Sequence, residues 1–138
     1  MNNKHLFIEK LRSSGLRPTK QRTEICQVLF GRTKTFHFTI NDLSNYLKSI
    51  TVDTISLATI YNTIHAFKEK GYLKEISINT DKSYYDTYTS NHHHFFNEST
   101  NELIDLQDNE IGKINLKKTL PKKKIKSVEV LVKIIDSN

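Results

Sequence analysis

The sequence predicts an α+β chain, four helices closed by a β-hairpin and then a smaller strand-rich part. Apolar residues recur at helical spacing as far as Gly71 and alternate from Tyr72 onward. Charge is laid out unevenly. Residues 1–85 carry 13 basic and 7 acidic side chains, residues 86–112 carry 6 acidic and no basic ones, and residues 113–138 carry 8 Lys and 2 acids. A basic block followed by an acidic stretch containing three consecutive histidines fits a nucleic-acid part joined to a cation-binding part.

Each element has a local reason. Residues 4–14 place Leu6, Phe7, Ile8 and Leu11 on a short helix that Gly15 stops. Thr19 caps a second helix, with Ile25, Val28 and Leu29 at i, i+3, i+4 before Gly31. A third begins at Thr39, with Asp42 three residues on, and is expected to bury Leu43, Tyr46, Leu47 and Ile50. The fourth opens at Ser56, turns Leu57, Ile60, Ile64 and Phe67 inward, and ends at Gly71. Tyr72–Ile78 and Ser83–Thr87 then alternate around the turn residues 79–82, which makes a hairpin. Helices followed at once by a hairpin make a winged helix-turn-helix. Beyond it come a strand His92–Asn97, a turn 98–101, a strand Glu102–Gln107, a short helix or loop, and a final strand Ser127–Ile135. The expected division is a winged-helix domain over 1–86 and a small α/β domain over 87–138.

Composition narrows the function. The 138 residues suit one compact domain or two small ones. The longest apolar run near the N-terminus is Leu6-Phe7-Ile8, too short for a signal-peptide core or a membrane span, so a soluble, cytoplasmic chain is expected. Its net charge is +6, but Lys outnumbers Arg 17 to 4, a skew that suggests an AT-rich genome and discounts the charge as evidence of nucleic-acid affinity. A single cysteine, Cys26, leaves no Cys-x-x-Cys pair for a structural zinc. Any bound metal must therefore use His and carboxylates.

On the fourth helix, Thr59, Asn62, Thr63 and Ala66 read as outward, with Tyr61 at the boundary. Such a small polar face fits a major groove, where Asn pairs bidentately with adenine. Arg17, Lys20, Arg22, Lys68 and Lys82 are the expected phosphate anchors. The competing description, a solvated face beside scattered lysines, is weakened by the helix-turn-helix-wing order.

In the last third, strand alternation sets His92 and His94 on one face about 7 Å apart and His93 on the other. If a four-residue loop, Glu98–Asn101, closes the hairpin, Asn97 faces Glu102 and His94 faces Asp105. Two imidazoles and a carboxylate form an N/O set suited to Zn, Fe or Mn. Asp86 and His37 are candidate further ligands. The plainer alternatives are a packed His37 between Phe36 and Phe38, a solvated histidine run, and caps at Asp86 and Asp105.

Together, Leu16-Arg17-Pro18-Thr19-Lys20-Gln21-Arg22, His37-Phe38-Thr39, residues 55–64 and residues 86–96 resemble the Fur superfamily of metalloregulators, and the last two segments are similar to Irr, the iron response regulator. The resemblance implies a winged helix, a C-terminal α/β dimerisation domain, and a homodimer on palindromic operators in double-stranded DNA. It places the regulatory metal on His37, Asp86, His92, His94 and Asp105, and base contacts on Tyr61 and Asn62, with Ser56, Thr59 and Thr63 on the same helix. Where the superfamily often has its first structural-zinc Cys-x-x-Cys, this chain has Asn97-Glu98-Ser99-Thr100, so the dimer domain is expected to hold by its apolar core alone.

The function expected from this is an iron- or haem-responsive DNA-binding regulator, with haem on His92, His93 or His94 against Tyr88, Phe95 and Phe96 weakening operator binding. A peroxide- or Mn/Fe-sensing regulator is the alternative. A hydrolytic metal centre is a distant third, because no nucleophile motif accompanies the histidines. Lys113–Lys126 reads as a solvated connector in preference to a second DNA surface.

Overall fold

The structure, a computed structural model, describes residues 3–138. The chain forms two compact units, Met1–Thr89 and Ser90–Asn138, which sets their boundary three residues beyond the one expected from the sequence. No helix among the described residues is long and apolar enough to cross a membrane.

The first unit contains α1 (Lys4–Ser13), α2 (Lys20–Phe30), β1 (His37–Phe38), α3 (Ile40–Ile50), α4 (Leu57–Lys70), β2 (Lys74–Asn79) and β3 (Lys82–Asp86). Its caps are those the sequence signals. The Thr19 hydroxyl accepts from the Arg22 N–H at 3.2 Å, and Thr39 and Asp42 form a reciprocal capping box on α3. Ser56 caps α4, whose far end is Gly71 at φ 91°, a left-handed conformation that costs glycine no steric strain.

Two helix faces differ from expectation. On α3 the buried stripe is Ile40, Leu43, Ser44 and Leu47, while Tyr46 and Ile50 are 48% and 54% exposed. The helix starts on Ile40, so the i, i+3, i+4, i+7 stripe takes its phase from that residue and leaves Tyr46 and Ile50 at its edge. On α4 the buried residues are Ile60, Thr63, Ile64 and Phe67, and Leu57 is 47% exposed. Thr63 therefore faces the core, and its hydroxyl donates to the Thr59 carbonyl at 2.7 Å.

Strands β1, β3 and β2 form an antiparallel sheet in that order. The hairpin turn narrows to Thr80-Asp81, held by the Asp81 N–H donating to the Asn79 side chain at 2.9 Å. Lys68 on α4 lies 2.7 Å from Glu75 on β2, and its hydrogen bond, followed by that of Ser83, holds the Glu75 carboxyl below its usual range. Stability from this shift is complete above the unfolded carboxylate pKa of about 4.3 and is lost as pH falls through the lower folded value. Both groups keep part of their surface in water, so Glu75→Gln is expected to cost about 0.5 kcal/mol at neutral pH. At strongly acid pH it should cost nothing, which urea midpoints measured against pH will check.

The second unit contains β4 (His93–Asn97), β5 (Glu102–Leu106), a 3₁₀ turn (Asp108–Glu110) and β6 (Leu131–Ile134), with sheet order β5-β4-β6. Pairing is antiparallel for β4 with β5 and parallel for β4 with β6. The final strand is shorter than the alternation of Val128, Val130, Val132 and Ile134 suggested, and residues 111–130 form neither helix nor strand.

Apolar packing does not close this unit alone. The Asn97 amide donates to Asp136 at 2.8 Å, the Asp136 N–H donates to the Ser99 hydroxyl at 3.0 Å, and the Ser99 N–H donates to the Asn97 side-chain oxygen at 2.9 Å. The β4–β5 turn is thus clasped to the chain just past β6 by side chains occupying the stretch where Cys-x-x-Cys is absent. The expectation of an apolar core alone missed this.

Candidate metal centre

In the first unit, β1 is only two residues long, yet it pairs His37 with Asp86 and Phe38 with Tyr85 on β3. That register brings His37 Nε2 to 3.0 Å from Asp86 Oδ2. Asp86 is fully buried, and its other oxygen accepts from the Tyr88 N–H at 2.8 Å. A buried carboxylate is costly unless cationic or donor groups surround it. His37 is anchored by its neighbours, since Phe38 lies wholly in the core and stacks on Tyr85.

In the second unit, β4 pairs with β5 in the register the four-residue loop implied, His94 opposite Asp105 and Asn97 opposite Glu102. Asp105 Oδ1 lies 3.1 Å from His92 Nε2 and 3.4 Å from His94 Nε2. The two rings are 4.5 Å apart between centroids, and both are buried.

Proton arithmetic makes this triad informative. His92 Nδ1 lies 2.7 Å from the Ser90 carbonyl, which can only accept, so Nδ1 carries a hydrogen. In the neutral ring Nε2 is then a bare lone pair, and a lone pair facing a carboxylate oxygen at 3.1 Å needs a proton or a metal cation to share. A backbone carbonyl holding Nδ1–H while Nε2 points at an anionic oxygen is the arrangement that orients a ligating histidine. His92, His94 and Asp105 thus fit a divalent cation of N/O preference.

His93 does not join them. The Val130 N–H donates to its Nδ1 at 3.0 Å, so its hydrogen sits on Nε2, 3.1 Å from Asp108 Oδ1. Both nitrogens are committed on the opposite face of β4. Of the three histidines expected as alternative haem ligands, His93 is thus held by Val130 and Asp108, and Phe96, one of the expected aromatic walls, is buried in the sheet. Burial pushes the Cys26 thiol up to about 12, so it stays protonated and supplies no thiolate.

The expected DNA face also changes. Tyr61 and Asn62 are exposed on α4, whereas Thr63 is fully buried and is withdrawn as a base contact. Ser56 and Thr59 hydroxyls lie 2.9 Å apart and serve the helix cap. Ala58 and His65, which the sequence did not single out, are exposed on the same helix, and helical phase set from Ile60 would have found them. Arg17 is exposed, and its carbonyl accepts from Arg22 Nη1 at 2.8 Å, while Arg22 Nε is buried with no hydrogen-bond partner. Lys20 lies 3.8 Å from Asp53, Lys68 is paired with Glu75, and Lys82 sits 5.4 Å from the Tyr84 ring centre.

Residues 13–135 match the ferric uptake regulator family. The chain is 34% identical over 107 residues to the peroxide-responsive repressor PerR of Staphylococcus aureus (strain Mu50), covering 78% of this chain and 70% of that protein. In fold it is similar to the ferric uptake regulator of Pseudomonas aeruginosa solved with manganese, at TM-score 0.68 and 18% identity over 96% of this chain and 99% of that one. The Vibrio cholerae ferric uptake regulator gives TM-score 0.68 and 18% identity over 91% and 96%.

Proposed function

The chain belongs to the ferric uptake regulator family, and from that premise we propose that it is a peroxide-responsive regulator whose Fe(II) or Mn(II) ion is held by His37, Asp86, His92, His94 and Asp105. Proteins of this family are dimeric, metal-sensing, DNA-binding transcription regulators and not enzymes, so the hydrolase alternative falls. The observation that carries the choice of a small cation is His92, whose Nδ1–H is held by Ser90 while Nε2 faces the Asp105 carboxylate.

The remaining ligands are the set the family resemblance implies. His37 and Asp86 supply the same N/O chemistry, and only five residues separate Asp86 from His92. The bound ion supplies a Lewis-acid centre and, as Fe(II), a reductant for peroxide. The protein orients the imidazoles through Ser90 and Asp105 and keeps them buried. For the ion to change DNA affinity it must bind the DNA-competent arrangement and its alternative unequally. Tyr61 and Asn62 on α4 read bases, and Arg17, Lys20 and Arg22 meet phosphates.

Haem lacks this support, since His93 is turned to Asp108 and the other two histidines share one carboxylate. The Staphylococcus aureus relative is a peroxide-responsive repressor, which supports the peroxide signal over the iron- and haem-responsive branch. To test it, the full chain is loaded with Fe(II), treated with hydrogen peroxide and mapped by peptide mass. His37 or His92 should gain one oxygen atom, with loss of binding to genomic fragments selected by the Mn(II)-loaded protein. The Mn(II) form should gain none. Unmodified histidines with DNA binding retained would refute the peroxide reading.

A further inference from the structure

Between Lys113 and Lys126 the chain holds seven lysines, and no acidic residue occurs from 112 to 128. A genome bias that favours Lys over Arg explains which cation is used, not why Asp and Glu are missing. All seven are exposed, and none is paired with a carboxylate among the described residues. The backbone bends at Leu120–Lys123, where the Lys123 N–H donates to the Leu120 carbonyl at 3.2 Å and Lys122 has φ 60°. Pro121 followed by a left-handed residue marks a type II turn, and Gly or Asn would hold that φ with less strain than lysine. The bend keeps Lys122, Lys123 and Lys124 together in open solvent.

Like charges crowded within a Debye length of about 8 Å repel. A partner that relieves the repulsion must offer closely spaced negative charge, and duplex DNA offers one per ~1.7 Å of axis. An anionic bilayer favours an amphipathic helix with a single apolar face. Here Ile114, Leu116, Leu120 and Ile125 are exposed but lie on no helix, so they present no such face.

We propose that this lysine-rich segment is a second, sequence-independent DNA contact, holding phosphates apart from the base pairs read by α4. It adds affinity for any duplex and no discrimination among them. It relies on the family's DNA binding and is independent of which ion or signal the histidines serve.

The test titrates the full chain, with Mn(II) present, against a mixed-sequence duplex over a range of salt. Five changes together, Lys117→Gln, Lys118→Gln, Lys122→Gln, Lys123→Gln and Lys124→Gln, are expected to lower the slope of log K against log salt by about 2–4 and affinity at physiological salt by about 10–100-fold. Arginine at the same five positions should preserve both. Asn62→Ala should instead relax preference at one base pair and leave the slope on mixed duplex alone. In the unaltered protein, DNA should shield Lys117–Lys124 from acetylation, a readout that needs no variant. An unchanged slope in the folded glutamine variant, or equal acetylation with and without DNA, overturns the proposal. So does binding to phosphatidylglycerol vesicles that the glutamines abolish while the DNA slope holds, which would assign the segment to a membrane.

Discussion

Asp105→Ala is expected to weaken Mn(II) binding by about 100-fold, the loss of a charge-assisted contact worth about 3 kcal/mol. The carboxylate lies near both His92 Nε2 and His94 Nε2, at 3.1 and 3.4 Å. Without it the two imidazoles keep their places on the strand but lose one of the two carboxylates that offset a divalent charge. Asp105→Asn keeps the shape and removes the charge, so it should fall between, about 10-fold weaker. Asp108→Ala removes the partner of His93 on the other face of β4 and should leave Mn(II) affinity unchanged. Calorimetric titration separates the three. Wild-type affinity in Asp105→Ala would move the ion elsewhere in the chain.

Phe67→Ala should cost the first unit about 3–5 kcal/mol. Phe67 is fully buried and meets Phe30 and Tyr72 edge-on, with ring centres 5.5 and 6.1 Å away, so no neighbour is free to collapse into the space left behind. Against the 5–15 kcal/mol typical of a whole domain, that loss consumes much of the stability. Leu57→Ala, one helix face away and half in solvent, should shift the urea midpoint by less than about 0.5 kcal/mol. Equal losses for the two would mean that α4 is rotated from the phase described.

The parts legible beforehand were those fixed by short-range rules. A four-residue loop fixes the pairing of the strands it joins, so His94 opposite Asp105 followed from counting outward from residues 98–101. Caps at Thr19, Thr39 and Ser56 were likewise local hydrogen-bonding decisions. What escaped depended on partners distant in sequence or on the phase of a helix. Strand β1 has two residues and therefore no periodicity of its own; only β3, some fifty residues later, makes it a strand. Thr63 looked outward because its hydroxyl is polar, but a helix lets threonine satisfy that group on the carbonyl four residues back and bury its methyl. The ligands on His92 were readable as residue types, whereas the hydrogen on its Nδ1 was not, because it is set by the Ser90 carbonyl.

The clasp of Asn97, Ser99 and Asp136 bears on what happens during oxidative stress. A turn fastened by thiolates around zinc would be open to attack by the same oxidant the protein is proposed to report, and it would come apart when the cell ran short of that metal. Amide, hydroxyl and carboxylate groups are inert to peroxide and indifferent to chelators, and the lone thiol, Cys26, is sealed in the other unit. In the peroxide-responsive reading proposed above, oxidation of the histidines would leave this clasp intact.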